Sequence, residues 1–222
     1  MPTLTFLGHS AFLVEHGDDV VAIDPFLTGN PQASPSADAI SPTRIVLTHG
    51  HADHFGDTVD IAKRTGATVH ASFELCNLLG SEHGLDKLEP GNPGGKVATP
   101  FGYVAFTQAF HSSSYEGRYM GMPAGAVVNI GGKTVYHAGD TALFSDMQLL
   151  GELYKPDVQI LPVGDRFTMG PEHAARAAQL VGAPLAVPCH YATWPLLTDD
   201  ITAFTPRGVE VKVLKPGESL EL

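Results

Sequence analysis

The 222 residues are 43% hydrophobic and 17% charged, the composition of a packed globule, which excludes disordered and fibrous classes. Thirteen basic against 24 acidic side chains leave a formal charge of −11, so the surface repels nucleic-acid backbones, although a metal site would still admit an anionic small molecule. Two cysteines, no basic leader and no apolar run near the ~18 residues that span a bilayer point to the cytoplasm without stable membrane association.

In chain order, residues 4–8, 11–15 and 20–24 read as short β-rich strands, the last two joined by the turn His16-Gly17-Asp18-Asp19. Residues 25–42, rich in Gly, Asn, Ser and Pro, read as a surface loop. Arg44-Ile45-Val46-Leu47-Thr48 is a continuous apolar strand of the type buried on both faces. It runs into a histidine-rich loop, and a helix over 57–64 is closed by Gly66. A strand over 68–70 and a helix through Leu79, capped by Ser72, come next. Residues 89–100 form a Gly/Pro-rich connection.

The second half predicts strands over 103–109, 125–130 and 134–137, the last pair turning on Gly131-Gly132. Helices over 143–154 and 172–181, the latter opened by Pro171, alternate with strands over 158–162, 185–188 and 209–214. Strands first, then strand–helix alternation inside each half, suggest a four-layer α/β sandwich in a single domain over 1–222.

Three histidines fall within six residues in Thr48-His49-Gly50-His51-Ala52-Asp53-His54. Imidazole and carboxylate are good ligands for divalent zinc, manganese or iron, and Gly50 and Ala52 let the backbone bend around an ion. The cluster follows a buried strand, which gives its loop a rigid support.

This segment resembles the signature of the metallo-β-lactamase superfamily. The resemblance implies an αββα sandwich with metals at one edge and further ligands downstream, for which His111, Asp140 and His190 stand in order just past predicted strands. By position, His49, His51 and His111 would bind a first ion and Asp53, His54 and His190 a second, with Asp140 between them. The runs Phe6-Leu7-Gly8-His9-Ser10, Ile23-Asp24-Pro25-Phe26, His137-Ala138-Gly139-Asp140-Thr141 and Pro188-Cys189-His190-Tyr191 are similar to an uncharacterised family of metal-dependent hydrolases. That family is allied to ascorbate-6-phosphate lactonase and to the phospholipase D acting on N-acylphosphatidylethanolamine.

The implied function is hydrolysis of a small-molecule ester, lactone or phosphodiester by water activated at two divalent ions, zinc first and manganese second. Asp140 and Asp53 would serve this chemistry directly. Asp24 would accept the second ring N–H of a ligand histidine, and His9 would be an acid–base group, a spare ligand or a structural residue. Cys189 reads as core and not as a nucleophile, Arg118 as a solvated loop arginine, and His70 as a surface or packing residue. Tyr191 and Thr193 would line the entrance or pack within their loop. The alternative function is a metal-binding or ligand-sensing protein of the same fold without turnover. Homo-oligomer formation is left open.

Overall fold

The computed structural model describes residues 1–222. Its first half contains strands β1 (Thr3–Gly8), β2 (Ala11–His16), β3 (Asp19–Ile23), β4 (Arg44–Val46), β5 (Thr68–Ala71) and β6 (Leu88–Pro90). Helices α1 (Ala52–Phe55), α2 (Thr58–Thr65) and α3 (Phe73–Ser81) lie among them. The second half contains β7 (Lys96–Thr99), β8 (Gly102–Gln108), a small hairpin of β9 (Ser114–Tyr115) and β10 (Arg118–Tyr119), β11 (Ala124–Ile130) and β12 (Lys133–His137). Helix α4 (Met147–Tyr154), β13 (Val158–Pro162), α5 (Pro171–Val181), β14 (Leu185–Cys189), β15 (Glu210–Val211) and β16 (Ser219–Glu221) complete it.

Period-two alternation along these strands decides the layering, because each strand sends successive side chains to opposite faces. Phe6, Phe12, Val14, Ile23 and Val46 of one sheet meet Val104, Val128, Ile130, Val135 and Ile160 of the other in an apolar inter-sheet core. The intervening residues Leu13, Ala22, Ile45 and Val69 face outward and pack under α2 and α3 through Ile61, Leu75 and Leu79. On the far side, Ala105, Val127, Tyr136 and Leu161 pack under α4 and α5 through Met147, Ala174, Ala178 and Val181. Three apolar layers between four structural ones make the αββα sandwich that the sequence led us to expect.

The sheets are ordered β16-β1-β2-β3-β4-β5-β6 and β15-β14-β13-β12-β11-β8-β7. Each begins as an antiparallel meander and continues in parallel strands, from β3 onward in the first and from β12 onward in the second. Ile45, Val46 and Leu47 are fully buried, as expected of a strand covered on both faces.

Some boundaries differ from expectation. The connection 89–100 contains part of β6 and all of β7, edge strands too short and too polar to register as periodic. The helix expected from 143 starts at Met147, and the strand expected over 209–214 pairs only at Glu210–Val211. Strand β16 closes on β1 near the C-terminus and has no sequence signal of its own.

Candidate metal centre

Six strand ends meet at one edge of the sandwich, and they bring together all the site residues expected from sequence. His9 follows β1, Asp24 follows β3, and the segment from His49 to His54 follows β4. His111, Asp140 and His190 follow β8, β12 and β14.

The donor atoms of His49, His51 and His111 all lie within 4.8 Å of one another, as do those of His9, Asp53, His54 and His190, and those of His49, His54 and Asp140. Asp140 joins the groups. Its Oδ2 is 3.1 Å from His190 Nε2 and 3.5 Å from His111 Nε2, while its Oδ1 is 3.3 Å from His54 Nε2. Asp53 Oδ2 is 3.5 Å from His190 Nε2. His54 Nε2 and Asp140 Oδ1 are both buried without a hydrogen-bond partner. A buried polar atom left unpaired costs ~1–3 kcal/mol, so two facing orphans argue for a missing third party. An all-nitrogen and oxygen donor set suits zinc or manganese, and the residues fit divalent ions.

Asp24 orders the ligand loop from beneath. It is fully buried and accepts from Thr48 N–H at 2.8 Å, from the Thr48 hydroxyl at 2.6 Å and from His54 Nδ1 at 2.7 Å. Because the Thr48 hydroxyl donates to Asp24, its oxygen accepts from His49 Nδ1 at 3.0 Å. These bonds assign the tautomers of two histidines at once and turn both Nε2 lone pairs toward the site. His137 steadies the Asp140 turn in a similar way, its Nδ1 accepting from Gly139 N–H at 3.0 Å, one residue before Asp140.

Burial would raise the Asp140 carboxyl, but the His190 and His54 imidazoles outweigh it and hold the group well below the carboxylate range. Burial likewise opposes protonation of His54 and His190. The Asp140 and Asp24 carboxylates nevertheless raise His54 well above its ordinary value, and Asp140 lifts His190 to about 9. The site therefore draws positive charge to its centre. His49, less compensated by carboxylates, is pushed well below its ordinary value by burial. Burial also takes His9 down to about 4.

A β-lactamase superfamily domain model matches residues 17–191. A UPF0173 metal-dependent hydrolase of Shouchella clausii is 48% identical over 227 aligned positions, covering 99% of both chains. Another from Bacillus cereus is 49% identical, again over 99% of both. The chain belongs to the UPF0173 metal-dependent hydrolases. Among solved structures, a metallo hydrolase of Ignicoccus hospitalis is similar at a TM-score of 0.89 and 37% identity, covering 100% of this chain and 99% of its own. An isothiocyanate hydrolase from Delia radicum gut bacteria shares the fold at a TM-score of 0.76 and 19% identity, with 99% and 98% covered.

In this UPF0173 chain the centre opens into a cavity of about 320 Å³, lined by Ser112, Phe167 and Trp194 beside His51, Asp53, His111, Asp140 and His190. Phe167 and Trp194 were not among the residues expected at the site. Thr193 does not line this cavity; it is buried and bonded to His9 Nδ1 at 2.8 Å. Tyr191 packs against the outer apolar layer under α5. Arg118 is paired with Glu82 at 2.6 and 3.0 Å and does not face the cavity. Cys189 sits in the inter-sheet core with its thiol pushed well up by burial.

Proposed function

We propose that the chain is a binuclear metal-dependent hydrolase acting on a small-molecule ester, lactone or phosphodiester. The first ion would be held by His49, His51 and His111, the second by Asp53, His54 and His190, with Asp140 facing both. The observation that carries this reading is the pair of orphaned atoms, His54 Nε2 and Asp140 Oδ1, at the centre of converging donors. Zinc is the first expectation and manganese the second. The name shared by the curated relatives, metal-dependent hydrolase, supports the reaction class.

When bound, divalent ions would supply a water of lowered pKa, toward ~7, and a Lewis acid for the substrate oxygen. The protein's own part is positional. Asp24 and Thr48 hold the rings of His54 and His49 in one tautomer, and Asp140 supplies a carboxylate between His54 and His190. Phe167 and Trp194 give the cavity an apolar side, and Ser112, 3.5 Å from His51, adds a polar group to its lining. No side-chain nucleophile is needed, and the one cysteine near the ligands, Cys189, points into the core.

The test pairs metal analysis with a hydrolysis screen of lactones, p-nitrophenyl esters and bis-p-nitrophenyl phosphate, using wild type, Asp140→Ala and His51→Ala. Two ions per wild-type chain are expected, with turnover of one substrate class that both variants lose. A protein that takes up no metal, or variants as active as wild type, would sink the proposal.

A further inference from the structure

The turn between β1 and β2, Gly8-His9-Ser10, touches the loops that carry Asp53, Asp140 and His190. The His9 carbonyl accepts from His190 N–H at 2.8 Å. The Ser10 carbonyl is 3.0 Å from His137 Nε2, and that ring holds Gly139 beside Asp140. The His9 side chain adds a third link, with Nε2 at 3.1 Å from Asp53 Oδ2. An ionised carboxylate oxygen only accepts, so Nε2 carries the proton and Nδ1 accepts from the Thr193 hydroxyl at 2.8 Å.

His9 is held firmly in this role. It is 0% exposed, and its ring lies 4.1 Å from that of His190 and 4.8 Å from that of Trp194. Its φ of +56° is a left-handed conformation that costs a non-glycine residue about 1–3 kcal/mol and persists only where the surroundings over-determine it. By contrast, His190 Nδ1 is buried with no partner of its own. Asp24 gives His54 and His49 a clamp, and nothing comparable grips the His190 ring.

We propose that His9 is a positioning residue for the second ion alone: its ring N–H fixes Asp53 and its carbonyl fixes His190, so both reach the ion in register. The inference rests on the two-ion reading above. Thr193 seats the ring from behind and thereby ties the Trp194 wall of the cavity to the ligand Asp53. His9 makes no hydrogen bond to His49, His51 or His111, so the first ion position is independent of it.

The experiment is a zinc titration of the chelated full-length protein, with circular dichroism alongside to follow folding. His9→Asn keeps a residue that tolerates the left-handed backbone but shortens the side chain. It should bind the first zinc as wild type does and the second about 10–100-fold more weakly, the usual cost of losing an outer partner of a ligand. His9→Gln, whose amide N–H reaches farther, should recover part of that loss. Thr193→Val, which touches no proposed ligand, should weaken the second zinc in the same direction by less, and it carries the test if the His9 variants do not fold. Unchanged binding of both ions in His9→Asn and Thr193→Val overturns the inference and leaves the two-ion reading intact. Equal weakening of both ions, with no recovery in His9→Gln, also overturns it, since that describes a merely structural residue. A wild type that takes up a single zinc overturns the two-ion reading and this inference with it.

Discussion

His9, Asp24 and His190 all adopt left-handed backbone conformations, with φ of +56°, +45° and +55°. Such strain gathers where geometry is imposed by function, and here it re-aims each chain as it leaves a strand for the site. Buried histidines outside the site behave differently, and His70 is the clearest case. It lies in β5, 1% exposed, with neither ring nitrogen hydrogen-bonded. Burial, helped by the Arg44 guanidinium, pushes it down to about 4. Below pH 6.5 the unfolded chain binds a proton at this position that the folded chain refuses until about pH 4. The stabilising effect of a neutral His70 is therefore full above pH 6.5 and is lost as the pH falls toward 4, a change of about 3 kcal/mol. His70→Leu has no proton to bind. In denaturant titrations of metal-free protein, its stability relative to wild type should shift by about 3 kcal/mol in its favour between about pH 7 and pH 4. A difference independent of pH would show that His70 accepts its proton equally in the folded chain.

Helices and strands were legible in proportion to how much apolar surface each one buries. The runs that became β2, β4, β11, β13 and α5 carry several buried apolar residues each and sit close to their expected bounds. β7 alternates between exposed and half-buried residues at a sheet edge, and β16 places one half-buried leucine between two exposed residues; their partner strands define them. Helix α4 carries a different kind of hidden information. Gly151 at its middle costs the helix about 1 kcal/mol against alanine by propensity alone. The reason for it lies in the packing, because a Cβ there would land on the Val181 carbonyl at the end of α5. Backbone cannot move aside as a flexible side chain can, so overpacking of about 1–3 kcal/mol outweighs the propensity gain. Gly151→Ala is accordingly expected to destabilise the protein by about 1–2 kcal/mol while leaving zinc stoichiometry unchanged. Chemical denaturation and metal analysis check the two halves of that statement, and a more stable variant would mean α4 and α5 separate freely.

At the scale of the whole molecule the two sheets repeat one plan, a meander followed by parallel strands, and the site forms where the strand ends of both halves meet. This explains why the candidate ligands and Asp24, which accepts from His54 Nδ1, were readable from sequence while the pairing of His9 with Thr193 was not. A ligand motif such as His49-Gly50-His51-Ala52-Asp53-His54 is local, whereas the partnership of His9 with Thr193 spans 184 positions and exists only after both sheets have packed. It also means that the unfolded chain has no preformed site, so any ion bound to the native state contributes folding stability. Two divalent ions would set four positive charges among Asp53, Asp140 and the surrounding imidazoles in a chain whose formal charge is −11. Ion binding contributes RT ln(1 + [L]/Kd), about 4 kcal/mol per site at a thousandfold excess over Kd. In a chain of this length, about 1 kcal/mol moves Tm by about 2–4 °C, so chelation should lower Tm by at least about 10 °C. Returning zinc should raise it again, with Tm climbing as the logarithm of free zinc and without levelling off while the excess grows. Asp140→Asn, which takes the charge from between the two positions, should move that climb to higher free zinc. A Tm that ignores both chelator and zinc would mean that the native state binds no metal, and the clustered histidines would then need another explanation.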